Sequence, residues 1–363
     1  MQVRQSTPQT FRGYDARRLR ALCMTTTSGG VASELFQIGK KVGFDVYVAG
    51  DKTLAKMPVK KGQSVLQTLS FWAQDTAFFS PNGNIVGRTP SVPYQKLLSK
   101  KFKKDVALQY GAPEGGNLFY IKDENGKNIL LAGNSLKKNS ILSTSLENIF
   151  GVDKIDYIPQ MDFHIDLFVR PLDNKNVLIA DDNLTIDYLK KTCEKIDEIS
   201  SSLSFNILKK IYLNYKKASL NRYLKMFQNT VSKNQRPHVD SVVSVLENKG
   251  YTVHRVPGRL YWLRKDNTDL VHDVNYMNAI VTKNRKGELV YITNKSTFDD
   301  AFGLNNGILK EIGVSFEDEF ANSLSSFIKK ENIYFVKGEQ YAVSDFLTNY
   351  YGGIHCLTME IPK

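Results

Sequence analysis

The chain predicts a mixed α/β fold built from short repeated units, on three observations. Short apolar, strand-like runs alternate with amphipathic helical stretches along most of the sequence. Turn signals such as "SPNGN", "DENGKN" and "KNRKGE" separate strand runs that read as pairs. A pair of long helical stretches, the second basic and free of acids, breaks the alternation. With 363 residues the chain is long enough for one large domain or two ordinary ones.

The elements follow in order. "LRALCMTT", "VASELFQIGKKVG" and "FDVYVAG" read as strand, helix and strand, with Val31, Leu35, Ile38 and Val42 at helical spacing. "KNVLIAD" is a strand, "VDSVVSVLENKG" an amphipathic helix ending at Gly250, and "YTVHRVP" a strand again. "NAIVTKN", "KGELVYIT", "FEDEFANSLSSFIKKE" and "NIYFVKG" continue the pattern. Residues 183–238 read instead as two helices inserted into it. Ile186, Leu189, Cys193, Ile196 and Ile199 make the apolar stripe of the first. Phe205, Leu208, Ile211, Tyr212, Tyr215 and Leu220 are expected to begin that of the second. Cys193 on such a stripe reads as a core thiol, and Cys23 in an apolar strand as an inert one.

Charge and composition narrow the function. The net charge of +12 is concentrated. Between Ser200 and Val239 lie Lys209, Lys210, Lys216, Lys217, Arg222, Lys225, Lys233 and Arg236, with no Asp or Glu. That run is either a solvated helical face or a surface for an acidic partner, a protein or a membrane headgroup layer. A specific nucleic-acid partner is not expected, because no recognisable binding motif accompanies the charge. No run approaches the length needed to span a bilayer. The polar, basic N-terminal stretch lacks the apolar core of a signal peptide, so a cytoplasmic location is the default expectation. Signal-free export would leave no trace in it. Three cysteines (Cys23, Cys193 and Cys356) are too few for a disulfide framework and lack metal-ligand spacing.

Five stretches carry more chemistry than packing requires. "LSFWAQDTAFF" sets Asp75 in an aromatic run, and "YGAPEGGN" sets Glu114 before a Gly-Gly turn. "IPQMDFHIDLFVRPL" places His164 and Asp166 two apart on what reads as a strand, so both would project from one face. "HDVNYMNAIV" places Asn275 and Asn278 before a strand, where Asn commonly serves turn geometry. "NYYGGIHCLTMEIPK" holds a thiol behind two glycines near the last residue. Cys356 alone reads first as a buried, inert strand residue. Jointly, these acids, one His and one Cys suit a planar cation attacked by a thiolate. Carboxylates match a guanidinium in a bidentate fork. A histidine protonates the leaving nitrogen and then activates water. A nearby cation lowers the pKa of the thiol.

"WAQD", "EGGN", "HIDLFVR", "YMN" and "GGIHCLT" stand in the order found in the agmatine deiminase and bacterial peptidylarginine deiminase family, which the chain resembles from about Phe71 to its C-terminal end. That family belongs to the pentein, or guanidino-group-modifying, superfamily. The resemblance implies a five-bladed α/β propeller with pseudo-five-fold symmetry. It would run over 1–182 and 239–363, interrupted by the basic helical insertion 183–238. It further implies Cys356 as nucleophile, His164 as general acid and base, and Glu114 as the residue orienting His164. Asp75 and Asp166 would hold the guanidinium, Asn278 would line the site near the thiol, and Trp72 and Gly353 would border the substrate. No metal or organic cofactor is implied.

The implied reaction is hydrolysis of a guanidine C–N bond through a covalent thiouronium, releasing ammonia and a ureido product. The substrate would be agmatine or the arginine side chain of a protein. Two departures bear on that choice: Gln74 stands where the family usually has Arg, and Tyr350 and Tyr351 replace part of a glycine run. Arg88 and Arg170 are expected in structural ion pairs, with contact to a substrate carboxylate as the alternative. His355 is expected to pack away from the site, and His238, His254 and His272 to be structural or surface residues. An amidinotransferase is the rival within the class, a non-catalytic pentein-like binding protein the rival outside it. Association of copies is compatible with either.

Overall fold

The computed structural model describes residues 18–25, 30–50, 53–58, 72–80, 83–88, 92–109, 114–123, 125–138, 147–148, 150–203, 206–234, 237–263, 270–295, 298–304, 307–337 and 353–363. The fold is mixed α/β, as the alternation of patterns predicts. Five times the chain makes an antiparallel strand pair, a crossover, and a third strand parallel to the second. Parallel neighbours cannot be joined by a tight turn, so each unit needs that crossover.

Unit one is assembled from distant parts of the chain. Thr358–Pro362 runs antiparallel to Leu19–Met24, and the helix Val31–Val42 leads to the parallel strand Asp45–Ala49. Unit two comprises Ala77–Phe79, Ile85–Arg88, the helix Val92–Phe102 and Val106–Gln109. Leu118–Lys122, Asn128–Gly133 and Lys154–Ile158 form unit three. Unit four pairs Val169–Pro171, Asn176–Ala180 and Thr252–Val256. Unit five pairs Ile280–Lys283, Leu289–Asn294 and Ile333–Val336. The hairpin Arg259–Leu263 with Leu270–Asn275 stands outside this pattern.

The strands are short and buried on both faces because each sheet meets a core on either side. In unit one Ala21, Cys23, Tyr47 and Ala49 face a core shared with Phe79 and Ile85 of unit two. The alternate residues Leu22, Met24, Val46 and Val48 face a core shared with Ile280, Val290 and Ile292 of unit five. Unit two turns Phe78 and Val86 toward Tyr120 and Leu130 of unit three. Unit three turns Phe119 and Leu131 toward Val177 and Ile179 of unit four. Leu178 and Ala180 of unit four share the last core with Val281 and Tyr291 of unit five. The period-two alternation of each strand thus links neighbours in a closed order, from one through five and back to one.

The crossover of unit four is the elaborate one. It carries the helices Asp182–Ser202, Ile207–Lys233 and Val239–Asn248. Asp181 caps the first, accepting from the Asn183 amide at 2.9 Å, and Asn206 caps the second, accepting from Lys209 at 3.0 Å. Val239, Val242, Val243 and Leu246 pack the third helix on the core between units three and four. The first helix buries Leu189, Cys193 and Ile196, as expected.

The expected stripe of the second helix is corrected. Leu208, Ile211, Tyr212 and Tyr215 are exposed, while Leu213, Leu220, Leu224 and Phe227 are buried. This helix has apolar residues on two faces, and periodicity alone does not say which one meets the protein. Phe205 lies outside the described residues.

Phe227 is fully buried and meets Tyr261 edge-on at 5.4 Å between ring centroids. Phe227→Ala should therefore cost about 3–5 kcal/mol, the usual loss for emptying an aromatic core site. Tyr215→Ala, on the same helix but exposed, should stay within about 0.5 kcal/mol of the parent. Chemical denaturation of both variants checks the assignment of faces.

Candidate active site

Each residue marked by the sequence sits on a short turn immediately before the first strand of a unit. Asp75 is on the helical turn Ala73–Thr76, followed by Ala77 of unit two. Glu114 precedes the 3-10 turn Gly115–Asn117, which runs into unit three at Leu118. His164 precedes a 3-10 turn, Ile165–Leu167, ahead of unit four. Asn275 and Asn278 lead into unit five, and the turn Ile354–Leu357 leads into Thr358 of unit one. One such turn comes from every unit, and the turns carrying Asp75, Glu114, Asp166 and Cys356 meet one another.

Two expectations about local structure are corrected here. His164 and Asp166 are not on a strand: His164 is extended and Asp166 lies in the 3-10 turn. Cys356 likewise lies on a helical turn rather than a strand. In both cases an apolar-alternating pattern belongs to the strand that follows, and the turn borrows its first residues.

Asp166 is the centre of the cluster and is fully buried. Its Oδ2 accepts from Asn278 Nδ2 at 2.9 Å and from His355 Nδ1 at 2.7 Å, and lies 3.4 Å from Cys356 Sγ. Asn278 Nδ2 also donates to the sulfur at 3.1 Å, while its Oδ1 accepts from the His355 amide at 2.9 Å. Asn278 thus clamps the thiol and its backbone turn together. Turn chemistry falls to Asn275, whose Oδ1 accepts from the Met277 and Asn278 amides at 3.0 and 3.1 Å.

His164 sits beside this group with its Nε2 2.6 Å from Glu114 Oε2. Ligating atoms of His164, Asp166 and Cys356 all lie within 4.8 Å of one another. A β-carbon on Gly116 would stand 2.5 Å from His164 Nδ1 and 3.1 Å from Asp166 Oδ1, so only glycine lets the ring lie there. Asn117 holds the histidine's turn, accepting from the Ile165 amide at 3.2 Å and donating to the Phe163 carbonyl at 3.2 Å. Among the described residues, His164 Nδ1 and Asp166 Oδ1 are buried without a hydrogen-bond partner. Buried polar atoms rarely remain so, and these two mark where a ligand's polar group fits.

The charges are arranged against an anionic thiol. Burial, then Asp166 and Asp75, push the Cys356 thiol well above its ordinary pKa. Burial also opposes charging of His164. The hydrogen bond from Glu114 and the fields of Asp166 and Asp75 outweigh it and raise that imidazole above its ordinary 6.5.

His355 does not pack away from the site as expected; it supports Asp166 from behind. Gln74 Nε2 reaches both the Gly115 carbonyl at 3.4 Å and His355 Nε2 at 2.9 Å. Only the amide's NH₂ can face a carbonyl, so Gln74 donates to His355 Nε2 and the ring proton sits on Nδ1, toward Asp166. Burial and the Arg170 charge lower the His355 pKa, which keeps the ring neutral.

The remaining candidates have other roles. Trp72 opens the turn carrying Asp75, and its half-buried ring packs on the core between units five and one. Gly353 is needed for protein contacts, since a β-carbon there would stand 2.4 Å from Asn294 Nδ2 and 2.6 Å from Asn278 Oδ1. Asn294 was missed by sequence reasoning; its Oδ1 accepts from the Ile354 amide at 2.8 Å. A lone Asn ending a strand gives no sequence signal for that role. Arg170 is buried, lies 3.3 Å from Glu360 and covers the Phe119 ring, the expected structural pair. His254 and His272 meet Asn176 and Asp162, and His238 is exposed ahead of a helix. Burial raises the pKa of Cys23 and Cys193 alike, and both sulfurs lie in apolar cores apart from this cluster. Tyr350, Tyr351 and the Arg88 side chain lie outside the described residues.

No family model matches the chain, and no curated protein matches it. Among solved structures, agmatine deiminase of C. jejuni matches with a TM-score of 0.55 and 14% identity, covering 96% of this chain and 95% of that one. A variant of the same enzyme with substrate bound matches at 0.49 and 12%, covering 96% and 95%. DDAH from Pseudomonas aeruginosa, complexed with citrulline, matches at 0.42 and 8%, covering 95% and 100%. The first of these establishes a likeness of fold to that agmatine deiminase.

The His164–Glu114 pair has a measurable consequence. The folded-state pKa of His164 lies above the unfolded 6.5, so its contribution to stability is fully present below that pH. The contribution is lost as pH rises through the folded value. Glu114→Gln should lower that value, seen as an earlier titration of the His164 ring resonances by NMR, and should flatten the associated pH dependence of unfolding.

Proposed function

We propose that the protein is a guanidine C–N hydrolase, a deiminase, with Cys356 as nucleophile. The observation that carries this is the meeting of thiol, carboxylate and imidazole within 4.8 Å, with the imidazole held by a second carboxylate. We further read the five units as blades of a pentein propeller around this site. The closed order of the five cores supports that reading. The helices of 183–238 are then an insertion into the fourth blade, dividing a first part, 1–182, from a second, 239–363.

The reaction follows from the electrostatics. In the free protein the buried carboxylates hold the thiol protonated. A guanidinium bound between Asp75 and Asp166 supplies the missing positive charge and favours loss of that proton, which passes to solvent water. The thiolate then attacks the guanidinium carbon, forming the C–S bond. His164, kept protonated by Glu114, gives its proton to the departing nitrogen, which leaves as ammonia. Neutral His164 next takes a proton from water, whose oxygen adds to the thiouronium carbon. The C–S bond breaks, the ureido product forms and the thiol is restored. Asn278 and the His355–Gln74 pair keep Asp166 and the sulfur aligned throughout.

The reactive end of the site is enclosed, which suits a guanidinium on a slender alkyl stem, whether of agmatine or of an arginine side chain. Ammonia release and ureido formation, measured on agmatine, free arginine and an end-blocked arginine peptide, test the reading. Cys356→Ala should fall to background and Cys193→Ala should keep full turnover. Silence of the parent protein on all three substrates would remove the hydrolase reading.

The chemistry uses no metal, so turnover should persist in a chelator. The same three groups present a sulfur, an oxygen and a nitrogen to a thiophilic cation. Added Zn²⁺ should therefore inhibit, and chelation should restore the rate.

A further inference from the structure

We propose that the helix Ile207–Lys233 docks the protein on an anionic lipid surface, lying along it with its outward apolar face in the headgroup layer. Seven large hydrophobic side chains are exposed among the described residues, and six of them are on this one helix. They are Ile207, Leu208, Ile211, Tyr212, Tyr215 and Met226, with Leu208 80% and Ile207 73% exposed. At 100° per residue all six fall in one sector. The buried Leu213, Leu220, Leu224 and Phe227 occupy the opposite side and fasten the helix to the protein. Scattered exposed apolar residues are ordinary, whereas a contiguous face is a contact surface.

The occupant is named by charge. Eight basic residues and no acid lie between Ser200 and Val239. Lys210, Arg222, Lys225 and Lys233 are exposed. Lys217 is taken by Asp197, and Lys216 by the Ala301 carbonyl at 3.3 Å. A second copy docking face to face would oppose basic residues with basic residues. The face runs along the helix from Ile207 to Met226, and a fluid layer accommodates it without a matching groove. Lysine stems that snorkel and tyrosines at headgroup depth suit such a layer. No helix among the described residues is long and apolar enough to cross a membrane, so the attachment is one of lying on the surface.

The test is co-sedimentation of the full chain with vesicles of phosphatidylcholine alone or with phosphatidylserine added. Binding is expected to the mixed vesicles only, and to weaken as salt is raised. Leu208→Ser with Ile211→Ser, and separately Arg222→Glu with Lys225→Glu, should each lower the partition coefficient by roughly tenfold or more. All these positions are solvent-accessible, so an unchanged thermal melt confirms that each variant is folded. Tyr215→Trp should shift its emission to the blue on mixed vesicles. Absence of binding by the parent overturns the proposal. So does equal binding to neutral vesicles, or binding that the serine pair leaves intact. A concentration-dependent mass that the serine pair abolishes, without lipid binding, would assign the face to a second copy instead.

Discussion

The site depends on the antiparallel pairing of Thr358–Pro362 with Leu19–Met24. That ladder joins residues more than three hundred positions apart and closes the order of cores. Cys356 stands two residues before the ladder begins, at Thr358, whose hydroxyl donates to the Ile354 carbonyl at 3.0 Å. The sulfur is placed by the closure of the whole fold, and no local sequence feature could place it. Five turns from five units must arrive together, and each is fixed by the strand it introduces.

The polar interior that results is costly and is held by complementarity. Asp166 is fully buried, and the donors to its Oδ2 come from Asn278 and His355, on the turns of two other units. An unpaired carboxylate at such a depth would protonate or unfold its surroundings. Here the neutral His355, its tautomer set by Gln74, donates one hydrogen bond without adding a charge that would cancel the field of the carboxylate. Burial and then the fields of Asp166 and Asp75 raise the thiol, and Glu114, Asp166 and Asp75 raise the His164 imidazole. A cation placed there would offset the carboxylates and favour a thiolate at Cys356.

Much of this was legible in the sequence, for identifiable reasons. Strand positions were readable because burial on both faces produces short continuous apolar runs, as at Leu19–Met24 and Asn176–Ala180. The likeness in fold was readable from motif order, and Glu114 against His164 is one pairing that the resemblance implied. What failed was local or rotational. The turns bearing His164 and Cys356 looked like strands because they abut strands. The outward face of Ile207–Lys233 looked like a core stripe because its leucines and isoleucines carry no sign of direction. Gln74, Asn294 and His355 act through contacts across 281, 60 and 189 positions respectively, which a linear pattern cannot encode.

The separation of turns from crossovers has an evolutionary consequence. The candidate site lies at one end of the strands, while the connection between the second and third strand of each unit varies in length. In unit four it has taken on a helical hairpin, and Asn176–Ala180 still pairs in register with Thr252–Val256. Crossovers of this kind can vary in length without displacing the turns that carry the candidate site. Selection on where the molecule works and selection on what it does then act on different stretches of the gene.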